Sequence, residues 1–196
     1  MNPNSNKNFD LPMIPIVDSF GRKHRSLRIS VTDRCNIRCF YCMPENVKFL
    51  PQDSILSFEE IHRIAGILAR QGVSRVRLTG GEPLVRSQLW NLVELLKSVR
   101  GIEEVALTTN GILLSDQAEK LKASGLDRIN VSLDSIDRDK FKEITRRDAL
   151  DKVLAGIDAA ISAGFENIRI NAVSVNGISE TEVVPLVTWA QQQGLH

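Results

Sequence analysis

Histidine and cysteine are scarce in this chain of 196 residues, three of each, and aromatic residues make up only 5%. No apolar run approaches the roughly 18 to 20 residues that span a bilayer. Lys and Arg number 25 against 24 Asp and Glu, a net charge of +1. That balance gives no global field to draw the protein to nucleic acid or an anionic membrane, so neither is expected as a partner. An odd count of cysteines in a chain this long argues against a disulfide scaffold. Residues 1–10 are rich in Asn and have neither an apolar signal core nor an Arg-rich amphipathic stretch. They read as a polar tail, and unpaired thiols without a signal peptide point to a reducing cytoplasm.

The few thiols all lie in one place. Cys35-x3-Cys39-x2-Cys42 follows a short apolar strand and uses every cysteine in the chain. Three thiolates can hold three corners of a cubane iron–sulfur cluster and leave the fourth iron open, where an electron-transfer ferredoxin would supply a fourth cysteine. Two other readings stay open: structural zinc, which wants four ligands, and chance clustering of buried cysteines. Neither His24 nor His62 stands at a ligand spacing, and with His196 they are assigned no role.

Around this loop the sequence alternates between two periods. Residues 27–31, 76–78, 105–108, 129–133 and 168–173 read as strands. Ser57 and Glu60 form a capping box, after which Phe58, Ile61, Ala65 and Leu68 recur at helical spacing up to Gly72. Leu89, Leu92, Val93, Leu96 and Val99 mark a second helix, residues 115–124 a third, and Val153, Leu154, Ile157 and Ile161 a fourth. A fifth is expected from beyond Ser179 to Gln193, although Pro185 sits awkwardly in it. Five βα units predict an α/β fold with a parallel sheet. Periodicity alone leaves the choice between an open doubly wound sheet and part of a barrel. Polar clusters stand at each strand's carboxyl end, among them Thr79-Gly80-Gly81-Glu82, Thr108-Thr109-Asn110 and Ser132 with Asp134. Both architectures form ligand sites there.

Several residues carry two readings. Gly80 and Gly81 suit a close backbone approach to a ligand or simply a tight turn, and Glu82 either faces the cysteine loop or pairs with Arg86. Arg28, Arg75 and Arg77 lie on strands, with Arg75 and Arg77 on one face. They either line a polar interior and bind phosphate, or turn outward to pair with Glu59, Glu60 or Glu94. Tyr41 packs against a cofactor's adenine or anchors the loop.

The cysteine motif, its aromatic Tyr41 and Thr79-Gly80-Gly81-Glu82-Pro83 together resemble the radical S-adenosylmethionine (SAM) superfamily. The strings Leu27-Arg28-Ile29-Ser30-Val31-Thr32-Asp33-Arg34, Leu107-Thr108-Thr109-Asn110-Gly111 and Ile129-Asn130-Val131-Ser132-Leu133-Asp134 are similar to one branch of it. That branch cyclises GTP to 3',8-cyclo-7,8-dihydro-GTP through a 5'-deoxyadenosyl radical, the first step of molybdenum cofactor biosynthesis. The resemblance implies a partial (βα) barrel, with five βα units present of an expected six. It implies a 4Fe–4S cluster on Cys35, Cys39 and Cys42, SAM contacts at Tyr41, Gly81 and Ser132, and GTP contacts at Arg28, Arg77, Thr108 and Arg169. Arg169 stands where the family usually has lysine, which keeps the charge and changes the reach. No catalytic residue is assigned beyond the cluster.

The same resemblance implies, as partners, GTP, an electron donor, the synthase that makes cyclic pyranopterin monophosphate from the product, and a second copy in a homodimer. It divides the chain into a flexible tail over residues 1–20 and a core over residues 21–196. The family's C-terminal region, with three more cysteines for a second 4Fe–4S cluster, has no counterpart in this sequence. The chain is therefore expected to be an incomplete fragment, holding the SAM half of the site and part of the GTP half, with its activity alone left open. Alternatives are another radical SAM enzyme acting on a peptide or metabolite, and a non-catalytic iron–sulfur or zinc module.

Overall fold

Alternation of β-branched and leucine residues with polar ones drives five strands into one parallel sheet. The computed structural model describes residues 15–196, so the polar stretch of residues 1–10 and Pro12 lie outside the described residues. The strands are β1 (Ser26–Ser30), β2 (Arg75–Thr79), β3 (Glu104–Thr109), β4 (Arg128–Ser132) and β5 (Ile168–Asn171). They lie in the order β1-β2-β3-β4-β5, and every neighbouring pair is parallel. A doubly wound sheet would reverse its strand order partway. An unreversed order with right-handed crossovers carries all the helices to one face, which is the arc of a barrel.

Six α-helices are described: α1 (Phe58–Ala69), α2 (Leu89–Lys97), α3 (Ala118–Ala123), α4 (Arg138–Thr145), α5 (Leu150–Ser162) and α6 (Val183–Gln192). The capping box forms at α1, where the Ser57 hydroxyl accepts from the Glu60 amide at 3.2 Å and the Glu60 carboxylate accepts from the Ser57 amide at 2.7 Å. Pro185 falls in the first turn of α6, where a missing N–H costs no intrahelical bond. The third helix begins at Ala118, three residues after the expected start, because residues 111–117 first turn through Gly111 and Leu114. Ile161 is exposed and Ala160 takes the inward position on α5.

One helix was not expected. The segment of α4, Arg-Asp-Lys-Phe-Lys-Glu-Ile-Thr, carries only two large apolar residues, Phe141 and Ile144, and both are buried. Asp137 starts it by accepting from the Lys140 amide at 2.9 Å.

The helix side of the sheet is the core. Val76, Leu78, Val105, Leu107, Ile129, Val131 and Ile168 point there and are almost fully buried. Of the expected tail, positions 15–20 are described and are held down. Val17 and Lys23 form an antiparallel bridge, and the Ile16 amide donates to Gln71 O at 3.2 Å. At the other edge, the Ile170 amide donates to His196 O at 2.8 Å and the His196 amide to Ile168 O at 3.2 Å. No helix among the described residues is long and apolar enough to cross a membrane.

Candidate functional site

The cysteine loop runs from the end of β1 to α1, across the carboxyl ends of the strands, and neighbouring elements secure it along its length. At its root, β2 continues past its end to pair with it: the Gly81 amide donates to Thr32 O at 2.7 Å and the Glu82 amide to Arg34 O at 2.8 Å. A Cβ on Gly80 would collide with the Thr32 carbonyl oxygen, and one on Gly81 with that of Arg34. The two glycines thus serve a close approach between backbones, the β2 exit against the cysteine loop.

Arg86 clamps both ends of the loop. It donates to Val31 O at 2.9 Å and to Leu56 O at 2.7 Å, and its guanidinium lies 4.3 Å from the Phe58 ring centre. Glu82 does not pair with it, contrary to one of the two sequence readings. The Glu82 carboxylate is buried, 1% exposed, and accepts from Thr109 Oγ1 at 2.7 Å, the Asn110 amide at 2.6 Å and the Leu84 amide at 2.9 Å. Burial raises its pKa, opposed by these three donors. It fastens the β2 exit to the β3 exit.

The middle of the loop rests on α4. A helix leaves its last carbonyls without intrahelical partners. Here Ile144 O and Thr145 O accept from the Phe40 and Arg38 amides, each at 3.0 Å. Tyr41 Oη donates to Asp134 at 2.6 Å, and the other oxygen of Asp134 accepts from the Val173 amide at 2.8 Å. One buried carboxylate thereby joins the loop to the exits of β4 and β5. Burial, then the hydrogen bond and charge of Asp134, push the Tyr41 phenol well above its usual range. The loop-anchor reading of Tyr41 is the one the structure shows, and the residue, 42% exposed, keeps free surface.

Cys35 and Cys39 are half-buried and Cys42 is exposed. Burial, followed by the Asp134 charge, pushes the Cys39 thiol up to about 11, and the charges of Cys35 and Cys42 also act on it. Burial likewise raises Cys35. Asn110 Nδ2 approaches Cys35 Sγ at 3.9 Å and donates to Asn36 Oδ1 at 2.7 Å. Among the described residues, no group of three or more His, Cys, Asp or Glu side chains converges on a single-ion site, as tetrahedral zinc demands. Three free thiols on one loop are a donor set that a bound iron–sulfur group would deprotonate.

Below the loop, the face of the sheet opposite the helices is polar. Side chains alternate along a strand, so Arg28, Arg77, Thr108, Arg128, Asn130, Ser132 and Arg169 share this face while Leu27, Leu78, Leu107, Ile129 and Ile168 take the other. The pairing aligns them in rows. Arg28 stands beside Arg77, Arg77 beside Ala106, and Ala106 beside Arg128. In the next row towards the cysteine loop, Thr108 stands beside Asn130 and Asn130 beside Arg169. Ser132 and Asn171 pair one row further on.

Arg28, Arg75, Arg77 and Arg169 make no salt bridge with a described residue, so the outward pairing with Glu59, Glu60 or Glu94 does not form among the described residues. Only Arg128 is neutralised, by Glu104 at 2.5 Å. Burial, then the charges of Arg128 and Arg28, lower the pKa of Arg77. Arg28, Arg75, Arg77, Glu104 and Arg128 line a cavity of about 430 Å³. A set of like charges facing one space can bind a polyanion with charge-assisted, bidentate contacts.

All ten site residues expected from the sequence thus fall in two connected zones, the loop and the inner sheet face. Sequence reading missed the roles of Arg86, Asp134, Asn110 and Arg128, whose partners lie up to 93 positions away. Asn110 and Asp134 had a signal as members of the polar clusters at strand ends and Arg86 as a candidate partner of Glu82, while Arg128, just before the expected strand, had none.

Comparison with known proteins bears on the family and the fold. The family model for the Radical SAM superfamily matches residues 29–190. A GTP 3',8-cyclase of Rhodopirellula baltica is 53% identical over 184 residues, covering 93% of this chain and 51% of the relative. A GTP 3',8-cyclase of Staphylococcus carnosus is 45% identical over 186 residues, covering 92% and 54%. The chain spans about half the length of the curated relatives it matches. Among solved structures, Streptococcus suis SuiB bound to S-adenosylmethionine superposes with a TM-score of 0.73 at 22% identity, covering 87% of this chain and 39% of that one. The structure of anSMEcpe with AdoMet and a peptide gives 0.67 at 20% identity, covering 87% and 49%. These last two show a shared fold.

Proposed function

This chain belongs to the radical SAM superfamily, and from that premise we propose that it carries the SAM-cleaving part and one substrate face of a GTP 3',8-cyclase. The observation that carries the reading is the set of inner-face arginines, Arg28, Arg77 and Arg169, with no salt-bridge partner among the described residues, on strands whose carboxyl ends are crossed by the loop that holds every thiol of the chain. Cys35, Cys39 and Cys42 would hold a 4Fe–4S cluster, and Tyr41, Gly81 and Ser132 would meet SAM. When bound, the reduced cluster and SAM supply a hydrogen-abstracting carbon radical.

The remaining work belongs to the protein's own side chains. Arg28 and Arg77 hold the triphosphate, and Thr108 and Arg169, one row nearer the loop, make further contacts to the nucleotide on the same face. Asn110 directs an N–H at Cys35. Arg86, Glu82 and Asp134 keep the loop at a set height above the sheet.

The wider setting follows from the same reading: an electron donor, a synthase that consumes the cyclised nucleotide, a homodimer and a cytoplasmic location. So does a second cluster in the whole protein, with one in this chain. The test is anaerobic reconstitution of the chain. About four irons per chain and reductive SAM cleavage are expected, both lost in Cys39→Ala. Zinc in place of iron, or cleavage surviving in Cys39→Ala, defeats the reading.

A further inference from the structure

We propose that Asn130 is a specificity-determining residue that takes a ribose hydroxyl of the nucleotide through its side-chain amide. This rests on the inner sheet face being the GTP site.

Asn130 lies in the middle of β4, between Ile129 and Val131, which are both fully buried on the helix side. Alternation therefore turns Asn130 to the inner face. It is 4% exposed, and its Oδ1 is buried with no hydrogen-bond partner among the described residues. A buried amide oxygen left unpartnered is costly, whereas an apolar side chain of the same shape would carry no such cost. The group is satisfied once a donor on a ligand reaches it.

Its place in the register says which part of a nucleotide that is. Successive rows on one face of a parallel sheet lie about 6 to 7 Å apart, two residues at 3.3 Å each. The row below Asn130 holds Arg28 and Arg77, which pair with no carboxylate among the described residues and suit phosphates, beside the Glu104-paired Arg128. The row above holds Ser132, at the level of the proposed SAM contacts. A nucleotide with its phosphates on the arginines and its reacting carbon facing SAM has its ribose on the row of Thr108, Asn130 and Arg169. An unpartnered amide oxygen accepts from a hydroxyl, the donor a ribose presents there.

The experiment is a nuclear magnetic resonance titration of the 196-residue chain, ¹⁵N-labelled on asparagine, with millimolar nucleotide. GTP, 2'-deoxy-GTP, 3'-deoxy-GTP and inorganic tripolyphosphate are compared. GTP should move the Asn130 side-chain amide signals and tripolyphosphate should not. At least one deoxy analogue should bind about tenfold more weakly than GTP. In Asn130→Leu that preference should fall to about one, with a melting temperature unchanged or raised, which a purely structural amide would not allow. If the leucine variant does not fold, Asn130→Ser serves for the same ratio.

A ratio unchanged in the variant, or a wild-type chain that binds both analogues as well as GTP, overturns the proposal. If GTP binding is then still lost in Arg77→Met, the broader reading survives. No saturable GTP binding at all overturns both.

Discussion

The two faces of the same five strands are built from alternate residues and behave as different materials. On the helix side, Leu78, Leu107 and Ile129 are fully buried among other apolar side chains, each stabilised by about 1.5 to 3 kcal/mol of burial. On the inner side, residues one position away include Arg77, Thr108 and Arg128; Glu104 pairs with Arg128, while Arg77 keeps the like charges of Arg128 and Arg28 as neighbours. Collected like charges oppose folding. A face that keeps them is organised for a ligand of opposite sign, and the contrast separates what holds the sheet from what the sheet holds.

The sharpest way to break that contrast is to cut each face at neighbouring positions. Leu107→Ala should cost about 2 to 5 kcal/mol in chemical denaturation, through lost burial and a residual cavity. Thr108→Val, one residue on, should change stability by less than about 1 kcal/mol and weaken GTP binding instead. Equal stability losses at both would erase the distinction between the faces.

Next in size is Arg77→Met. Removing one charge-assisted contact should weaken GTP binding by about 1.5 to 3 kcal/mol, readable by calorimetric titration. Stability should hold or rise, since Arg128 and Arg28 lose a repelling neighbour. Undiminished affinity would mean that the phosphates bind elsewhere.

A third cut tests the seam between sheet and loop. Gly81→Ala forces a Cβ into the Arg34 carbonyl oxygen and should cost about 1 to 3 kcal/mol. It should also lower the iron retained after reconstitution, while leaving the arginine face able to bind nucleotide. Full iron content in that variant would show that the loop can move off β2 without losing its cluster geometry.

Much of this was legible in sequence because the signals are local. The α1 start needs only Ser57 and Glu60, three residues apart, and each strand announces its buried face by alternation. The cysteine spacing is likewise local, and Arg75 and Arg77, two apart, are seen to share a face, although the spacing leaves open which face that is. Other features are not local. The helix α4 has too few apolar residues to form a stripe, and its cause is tertiary: Phe141 and Ile144 bury while its carbonyl end receives the cysteine loop. Glu82 reads in sequence either towards the cysteine loop or against Arg86, four residues away, yet its carboxylate accepts from Thr109 and Asn110 at the β3 exit, 27 and 28 residues on.

The sequence by itself determined the parallel βα repeat, the capped helices, the three-thiol loop and the identity of the charged strand positions. Each depends on spacing within one element, which the chain's own periodicity sets. Only the tertiary structure decided that the strand order never reverses, and with it that all helices leave the inner face open. It alone brought Asp134 to Tyr41, Arg86 to both ends of the loop, and Asn130 to a row between the arginines and the cysteines. Those partners meet through strand register and crossover handedness, which are properties of the packed sheet and of no single stretch of chain.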